Sequence, residues 1–365
     1  MIVLVANTGS SSLKLRVVGS SDEVLSAADL PAPEPNGDMR ELEQFVDDTV
    51  ELDAVGHRIV HGGDLRESTL VDDRTEHQLG ELGELAPLHN GPALAVLGAL
   101  RALRPELAHV ACFDTSFHAT LPPGAALYPV PRAWSERFGL RRFGFHGLSH
   151  EWASGRTAEL LSAQPADLRV VTCHLGAGAS LAAVVGGRSV DTTMGFTPNE
   201  GLVMATRSGS IDPGMLLWLL RQGGLGADEA ERALDRQSGL LGLSGRSAEM
   251  QEVIAAADAG DVWAQEAFAV YMHRLRAGIA AMAAALGGLD ALAFTGGVGE
   301  RSPRVRAEAC AGLAFLGLRL DLDKNEDPGA ADADVSTPDA SVRTLVVHAR
   351  EDLQIARAVR SLLGA

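Results

Sequence analysis

Lysine is nearly missing from this chain. Of its 31 basic residues only Lys14 and Lys324 are lysines, so Lys14, standing in a Gly/Ser-rich turn, draws notice. Basic charge is short overall, with 31 Lys and Arg against 48 Asp and Glu and a formal charge of −17. A surface that negative lacks the cationic patches that nucleic acid or an anionic membrane surface requires, so neither is an expected partner. An anionic ligand must instead find positive charge supplied locally by its own site. Cysteine is scarce as well. Cys112, Cys173 and Cys310 are odd in number and far apart, which excludes a disulfide framework and zinc spacing. Each is expected as a small buried hydrophobe. No apolar run reaches the ~18 residues of a membrane-spanning helix. The first six residues have neither the basic start nor the length of a secretory signal. The expected setting is a reducing cytoplasm.

What is present is ordinary for a soluble globular protein, 46% apolar and 22% charged over 365 residues. At about 150 residues per domain the length suggests two domains or three. Residues 2–6 read as a buried strand, followed by a Gly/Ser turn (Asn7 to Ser12) and a second strand through Val18. Val170–Cys173, the turn His174–Ser180 and Leu181–Val185 repeat that grammar half a chain later. The repetition suggests an internally duplicated α/β protein with one lobe per copy. A third strand-turn, Leu292–Phe294 and then Thr295–Glu300, leads into a helix near Ser302–Leu313, with Ser302-Pro303 as its natural start. Helical patterns occupy 39–50, 91–104, 149–162, 213–222, 226–236, 247–258 and 262–286, and a closing helix runs from Glu351 to Leu363. The long Ala-rich 262–286 helix is expected to be buried or at a subunit contact. Asp321–Ser341 reads as a surface loop.

Several clusters could carry chemistry. In Asn7-Thr8-Gly9-Ser10-Ser11-Ser12-Leu13-Lys14, glycine lets backbone approach an anion, hydroxyls donate to it, and Lys14 adds a point charge. The plainer alternative is a hairpin turn. His174-Leu175-Gly176-Ala177-Gly178 and Gly296-Gly297-Val298-Gly299 are further glycine turns after strands. Each alone is weak, but three at corresponding strand ends would converge on a cleft between lobes where phosphates could lie. Arg58 and Arg207 are candidate clamps for carboxylate or phosphate, with surface ion pairing as the alternative. Asp114 ends the apolar run Val110–Phe113, where α/β folds often turn a carboxylate toward ligand; the alternative is a loop or cap aspartate. His57, His61, His89, His118, His146, His150 and His174 all read as loop histidines, without zinc spacing.

Taken in order, these blocks resemble the acetate kinase family, within the sugar-kinase/actin-like superfamily. The matching stretches are Asn7–Lys14, Gly56–Gly63, Leu85–Asn90, Phe113–Pro122, Phe143–His150, His174–Ser180, Thr192–Pro213, Phe294–Glu300 and Glu351–Arg357. Together they cover nearly the whole chain. The resemblance implies two actin-like (ribonuclease H-like) α/β lobes closing over a cleft. Residues 1–147 with 351–365 would form the acyl and Mg²⁺ lobe, and 148–350 the nucleotide lobe, which carries a homodimer contact. The implied reaction is ATP + acetate ⇌ ADP + acetyl phosphate with Mg²⁺ (or Mn²⁺), in which alignment and charge neutralisation matter more than covalent help.

The resemblance also implies roles. Asn7 and Glu351 would place the metal through waters. Ser10, Ser12 and Lys14 would face donor phosphate. Arg58 would bind the acetate carboxylate, with Asp114 orienting it or Arg58, and Val60, Leu88, Phe145 and Pro198 would line the methyl pocket. His146 and Arg207 would stabilise the transferring phosphoryl. His89, His174, Gly176 and Gly178 would support phosphates. Glu249, Met250 and Gln251 would lie on the adenine side, and Gly296, Gly297 and Gly299 would leave room for the nucleoside.

Departures from the family pattern cluster on that nucleotide side. Ala177 stands for Asn, Glu249-Met250-Gln251 for Asp-Phe-Arg, Arg301 for Asn, Ser210 for Asp, and Ala349-Arg350-Glu351-Asp352 for Thr-Asn-Glu-Glu. Losing a planar arginine over adenine would remove ~1–2 kcal/mol of stacking. Either ATP is held by different contacts, which the three retained glycines favour, or the donor is GTP or pyrophosphate. Propionate is an alternative acceptor, since one methylene is worth only ~1–3 kcal/mol of discrimination. A non-catalytic nucleotide-binding regulator is the reading from another class; it would predict lost transfer residues, yet Arg58, Asp114, His146, Arg207 and Glu351 are present.

Overall fold

The computed structural model describes residues 1–9, 12–32, 38–49, 51–82 and 87–365, with the side chains of 87–89 excepted. It divides into two compact units: Met1–Ala119 with Phe145–Trp152 and Arg350–Ala365, and Thr120–Gly144 with Ala153–Ala349. The segment Thr120–Gly144, expected with the first lobe, groups with the second unit, where Arg142 and Tyr128 bind it to residues 193–200.

Each unit is built on a mixed six-stranded sheet. In the first, β1 (Val3–Thr8) pairs antiparallel with β2 (Ser12–Val18), and β2 with β3 (Val24–Pro31). On the other side β1 runs parallel to β4 (Ala54–Ile59), β4 parallel to β6 (Ala108–Phe113), and β5 (Thr69–Leu70) closes the edge antiparallel to β6. The second unit repeats this order. Its meander is β7 (Arg169–Leu175), β8 (Ala179–Val185) and β9 (Arg188–Thr192). The parallel strand β10 (Ala291–Thr295) follows, and β11 (Ala333–Asp334) edges β12 (Arg343–Val346) as β5 edges β6. The sheet orders β3-β2-β1-β4-β6-β5 and β11-β12-β10-β7-β8-β9 are one topology written from opposite ends, the duplication expected from the two strand-turn-strand copies.

The hydrophobic pattern explains which strands lie inside. β1 opens with Val3, Leu4, Val5 and Ala6, all buried, as a central strand covered on both faces requires. β2 alternates, with Leu13, Leu15 and Val17 inward and Lys14 exposed. Leu4, Ala6 and Val55 pack with Val96 and Leu100 of helix Pro87–Leu103 in one core cluster. The opposite face receives helix Glu351–Leu363, whose Ile355, Ala356 and Val359 are fully buried. Gly56 of β4 permits that approach: a Cβ there would lie 2.5 Å from Ile355 Cγ2 and 2.9 Å from Val359 Cγ2. Successive strand residues face opposite ways, so Arg58 shares the Gly56 face. Glu351 and Asp352 in the first turn of the helix suit its dipole, and Gly364 ends it in the left-handed region (φ +77°).

The expected helices are present within a few residues of their expected bounds, with 262–286 realised as Val262–Ala285 and 302–313 as Pro303–Gly312 capped by Ser302. Three expectations need correction. Thr295–Glu300 is not a simple turn, because Gly296–Arg301 is one short helix, anchored by Glu300 accepting from the Gly296 N–H. Asp321–Ser341 is not all loop: it holds helix Leu322–Glu326, capped by Asp321, and strand β11. Nor are the histidines loop residues throughout. His57 lies in β4, His174 in β7, His89 in helix Pro87–Leu103 and His150 in helix Gly147–Leu160. The His57 ring tolerates its buried strand position because its Nε2 lies 3.0 Å from Nδ1 of His109 on the neighbouring strand. Among the described residues no helix is long and apolar enough to cross a membrane.

Candidate functional site

In the first unit four expected residues meet at the ends of β1, β4 and β6. Asn7 is near the end of β1, and its partner across the hairpin is Lys14. Arg58 is opposite Cys112 in the parallel pair β4–β6, and Asp114 stands two residues beyond Cys112, on the same face. Arg58 grips Asp114 with two hydrogen bonds, Nη2 to Oδ2 at 2.6 Å and Nε to Oδ1 at 3.1 Å. Its Nη1 donates to Asn7 Oδ1 at 3.1 Å, Asn7 Nδ2 donates to Glu351 Oε2 at 2.7 Å, and that oxygen is 3.7 Å from Arg58 Nε. Burial opposes the charge on Arg58, but Asp114 and Glu351 outweigh it and raise its pKa. Burial also lifts the Asp114 carboxyl above the usual carboxylate range, against the pull of Arg58 and with a push from Glu351.

The backbone holds Asp114 from a second side. The His146 backbone hydrogen-bonds its carboxylate, and the Gly147 N–H donates to its carbonyl at 2.9 Å. His146 itself is left-handed (φ +56°), an uncommon conformation for a residue with a Cβ. Gly147 has no alternative, since a Cβ there would overlap the Asp114 carbonyl. Phe145 and Val60 are buried, as expected of residues that could line an apolar pocket. The carbonyl of Phe145 lies 3.1 Å from His118 Nε2, and a carbonyl only accepts, so that nitrogen carries the proton. Burial lowers the His118 and His61 pKa values to about 4, which keeps both rings neutral. Ser12 begins β2 and Lys14 is exposed on it; Ser10 lies outside the described residues. The backbone of Leu88 and His89 forms the first turn of their helix. Asn90, which sequence reasoning missed, pins this turn by exchanging two 3.1 Å hydrogen bonds with the His61 backbone.

The second unit holds the remaining residues in two places. Arg207 is half-buried, and its Nη1 donates to the Pro198 carbonyl at 2.6 Å. Burial lowers its pKa, opposed by the nearby Asp235 carboxylate. Elsewhere a cavity of about 380 Å³ is lined by Gly176, Ala177, Glu249, Met250, Gln251, Gly297, Arg301 and Tyr271, among others. This gathers the expected adenine-side residues with two glycine turns. Gly176 and Gly178 close their turn through a 2.9 Å backbone bond, and Gly296 (φ +76°) sits under the end of β7, where its Cβ would come 2.9 Å from the Leu175 carbonyl. Gly178, Gly296, Gly299 and His174 thus shape the strand ends beside the cavity. Tyr271 was not anticipated. It is buried, and among the described residues its hydroxyl has no hydrogen-bond partner.

No group of three or more His, Cys, Asp or Glu suited to a metal ion occurs among the described residues. The Asn7–Glu351 pair offers one carboxylate and one amide. Arg58 faces two carboxylates, leaving a surplus negative charge. That donor set fits a hard divalent cation which retains most of its waters and takes further ligands from phosphate.

Comparison with known proteins agrees with this architecture. A sequence profile of the Acetokinase family matches residues 37–357. The acetate kinase of Synechococcus sp. is 52% identical over 314 residues, covering 86% of this chain and 77% of that protein. The crystal structure of Porphyromonas gingivalis acetate kinase superposes with a TM-score of 0.91 at 34% identity, covering 99% of both chains. A propionate kinase from Francisella tularensis gives 0.88 at 33% identity over 98% of both. The chain belongs to the Acetokinase family, a family of kinases.

Proposed function

We propose that this protein is an acetate kinase, which transfers the γ-phosphoryl of ATP reversibly to acetate. A carboxylate oxygen of acetate attacks the γ-phosphorus in line. The new O–P bond forms as the bridging bond to ADP breaks, and ADP leaves with the electron pair. Acetate is already ionised at neutral pH, so no general base is needed. The observation that carries the reading is Arg58, fixed by buried Asp114 with Asn7 and Glu351 beside it. Part of its donor fork remains for one further carboxylate, the acetate.

In this reading Val60 and Phe145 contact the acetate methyl, and Leu88 and Pro198 are further methyl contacts. His146 and Arg207 stabilise charge on the phosphoryl in flight. Ser10, Ser12, Lys14, His89 and His174 contact donor phosphates. Asn7 and Glu351 would hold Mg²⁺ (or Mn²⁺) through waters, and the ion would offset phosphate charge. The unit of Met1–Ala119, Phe145–Trp152 and Arg350–Ala365 serves acetate and metal, and the unit of Thr120–Gly144 and Ala153–Ala349 the nucleotide.

The volume of the cavity at Gly176, Gly297 and Met250 supports a nucleoside-bearing donor over bare pyrophosphate. Helix Pro213–Gln222 has no buried residue and exposes Met215, Leu217 and Trp218, which supports a homodimer through the second unit. Three buried free thiols suit a cytoplasmic setting.

The test is acyl hydroxamate formation with Mg²⁺, acetate and hydroxylamine, comparing ATP, GTP and pyrophosphate, and acetate with propionate. Product with ATP, lost in Arg58→Ala and Arg207→Ala, is the expected result. No product with any donor, from folded protein, refutes the reading and favours a silent binding protein.

A further inference from the structure

One polar network of the second unit has no role in the account above. Arg142 reaches residues 193–200 at both ends, donating to the carbonyls of Thr193 and Met194 at 3.0 and 2.9 Å and to Glu200 Oε1 at 2.6 Å. Tyr128 donates to the other Glu200 oxygen, Oε2, and accepts from the Phe196 N–H at 2.8 Å. The Arg142 guanidinium also lies 5.5 Å over the Tyr128 ring. Between these ties, the Gly195 carbonyl accepts from the N–H groups of Phe143 and Gly144 at 3.0 and 3.3 Å. A Cβ at Gly195 would overlap both Glu200 Oε2 and the Tyr128 hydroxyl, so any larger residue would displace these two side chains. The tied segment contains Pro198, whose carbonyl accepts the 2.6 Å hydrogen bond from Arg207. The next residue, Asn199, is tied as well, donating to Asp235 at 2.9 Å.

We propose that Tyr128, Arg142 and Glu200 are positioning residues for Arg207: they fix the Pro198 carbonyl, and that carbonyl sets where the guanidinium points. This rests on the role assigned to Arg207 above. The physical reason is economy of constraint. Among the described residues, Arg207 makes one side-chain hydrogen bond and no ion pair within 4 Å, so its direction depends on a single acceptor. A carbonyl in an untied loop would let a long side chain sample many rotamers. Here the loop is held by a neutral hydroxyl, a carboxylate and a guanidinium that satisfy one another. Displacing a transition-state donor by about an ångström can cost on the order of a hundredfold in rate. Each member therefore acts on kcat through Arg207 and touches no substrate.

The test is the hydroxamate assay on Tyr128→Phe, Glu200→Gln and Arg142→Lys, each in the native background and with Arg207→Lys. The wild-type rate comes first. If wild-type protein forms no acyl hydroxamate, the activity reading fails and this proposal falls with it. With an active wild type, the expected result for Tyr128→Phe is a kcat about tenfold lower, with KM for ATP within about twofold. In the Arg207→Lys background the same change costs less than about threefold, because the group being positioned is already altered. Tyr128→Phe removes one hydroxyl, so it stays informative if Glu200→Gln fails to fold; thermal melts of each variant establish which are native. Unchanged kcat in folded Tyr128→Phe overturns the proposal. So does an equal loss in both backgrounds, which would mean that the network supports the fold without passing through Arg207.

Discussion

Acid should unfold this protein by a route readable from two histidines of the first unit. His61 and His118 are fully buried, and burial lowers both pKa values to about 4. In the unfolded chain each returns to ~6.5. A group whose folded pKa is depressed leaves stability intact above the unfolded value and removes it as pH falls toward the folded one. Above about pH 6.5 both states bind no proton, and below it only the unfolded state does so until pH 4. Between pH 7 and pH 5 each ring therefore removes roughly 2 kcal/mol, and the two together about 4 kcal/mol. That is a large share of the 5–15 kcal/mol that ordinarily separates native from unfolded states. His57 and His109 are lowered by burial as well and act in the same direction. Buried carboxyls such as Glu151, raised by burial, oppose it.

The clean measurement is therefore a difference. Urea unfolding at pH 7 and pH 5 would be compared between wild type and His118→Gln, whose amide can still donate to the Phe145 carbonyl. The variant should lose about 2 kcal/mol less than wild type over that interval. An equal loss would mean that His118 is protonated in the native state, and the assignment of its Nε2 proton as part of a neutral ring would fall.

Three further outcomes are expected. Gly56→Ala places a methyl against Ile355 and Val359 and should cost ~1–3 kcal/mol of stability by overpacking; thermal melting reads it, and an unchanged Tm would show that the helix moves freely. Trp218→Asp should shift a homodimer toward monomer in sedimentation velocity, because Trp218 and its neighbours Met215 and Leu217 are exposed on one helix. The thiols of Cys112, Cys173 and Cys310 should resist an aromatic disulfide reagent in native protein at pH 8 and all react in guanidinium, since burial pushes Cys112 and Cys310 up to about 12 and holds Cys173 well above the usual thiol range.

The strand-turn-strand copies were legible because they are local: an apolar run, a glycine turn and a second run fall within about 17 residues of one another. Arg58 and Asp114 were legible as candidate types, but their mutual grip joins residues 56 positions apart and has no local signature. The Tyr128–Glu200 contact, spanning 72 positions, was invisible for the same reason. His57 misled because a polar ring in Ala54–Ile59 suggests exposure, whereas its stacked neighbour His109, on another strand, supplies the partner that burial demands. The two-residue strands β5 and β11 carry too few side chains to show alternation. The glycines at 296–299 suggested a turn because they disfavour helix; Glu300 and Arg306 hold the segment helical by binding its first N–H and its last carbonyls.

The helix Glu351–Leu363 has a consequence for synthesis. It covers the Gly56 face of a sheet whose β1 and β4 end by residue 59, yet it follows the whole second unit in the chain. At roughly 5–20 residues per second, the ribosome needs some tens of seconds to reach it after β4 emerges. Through that interval Val3, Val5 and Gly56 present an open apolar face to the cell. The first unit begins to fold early and finishes last, and in that window a nascent-chain chaperone has the most to protect.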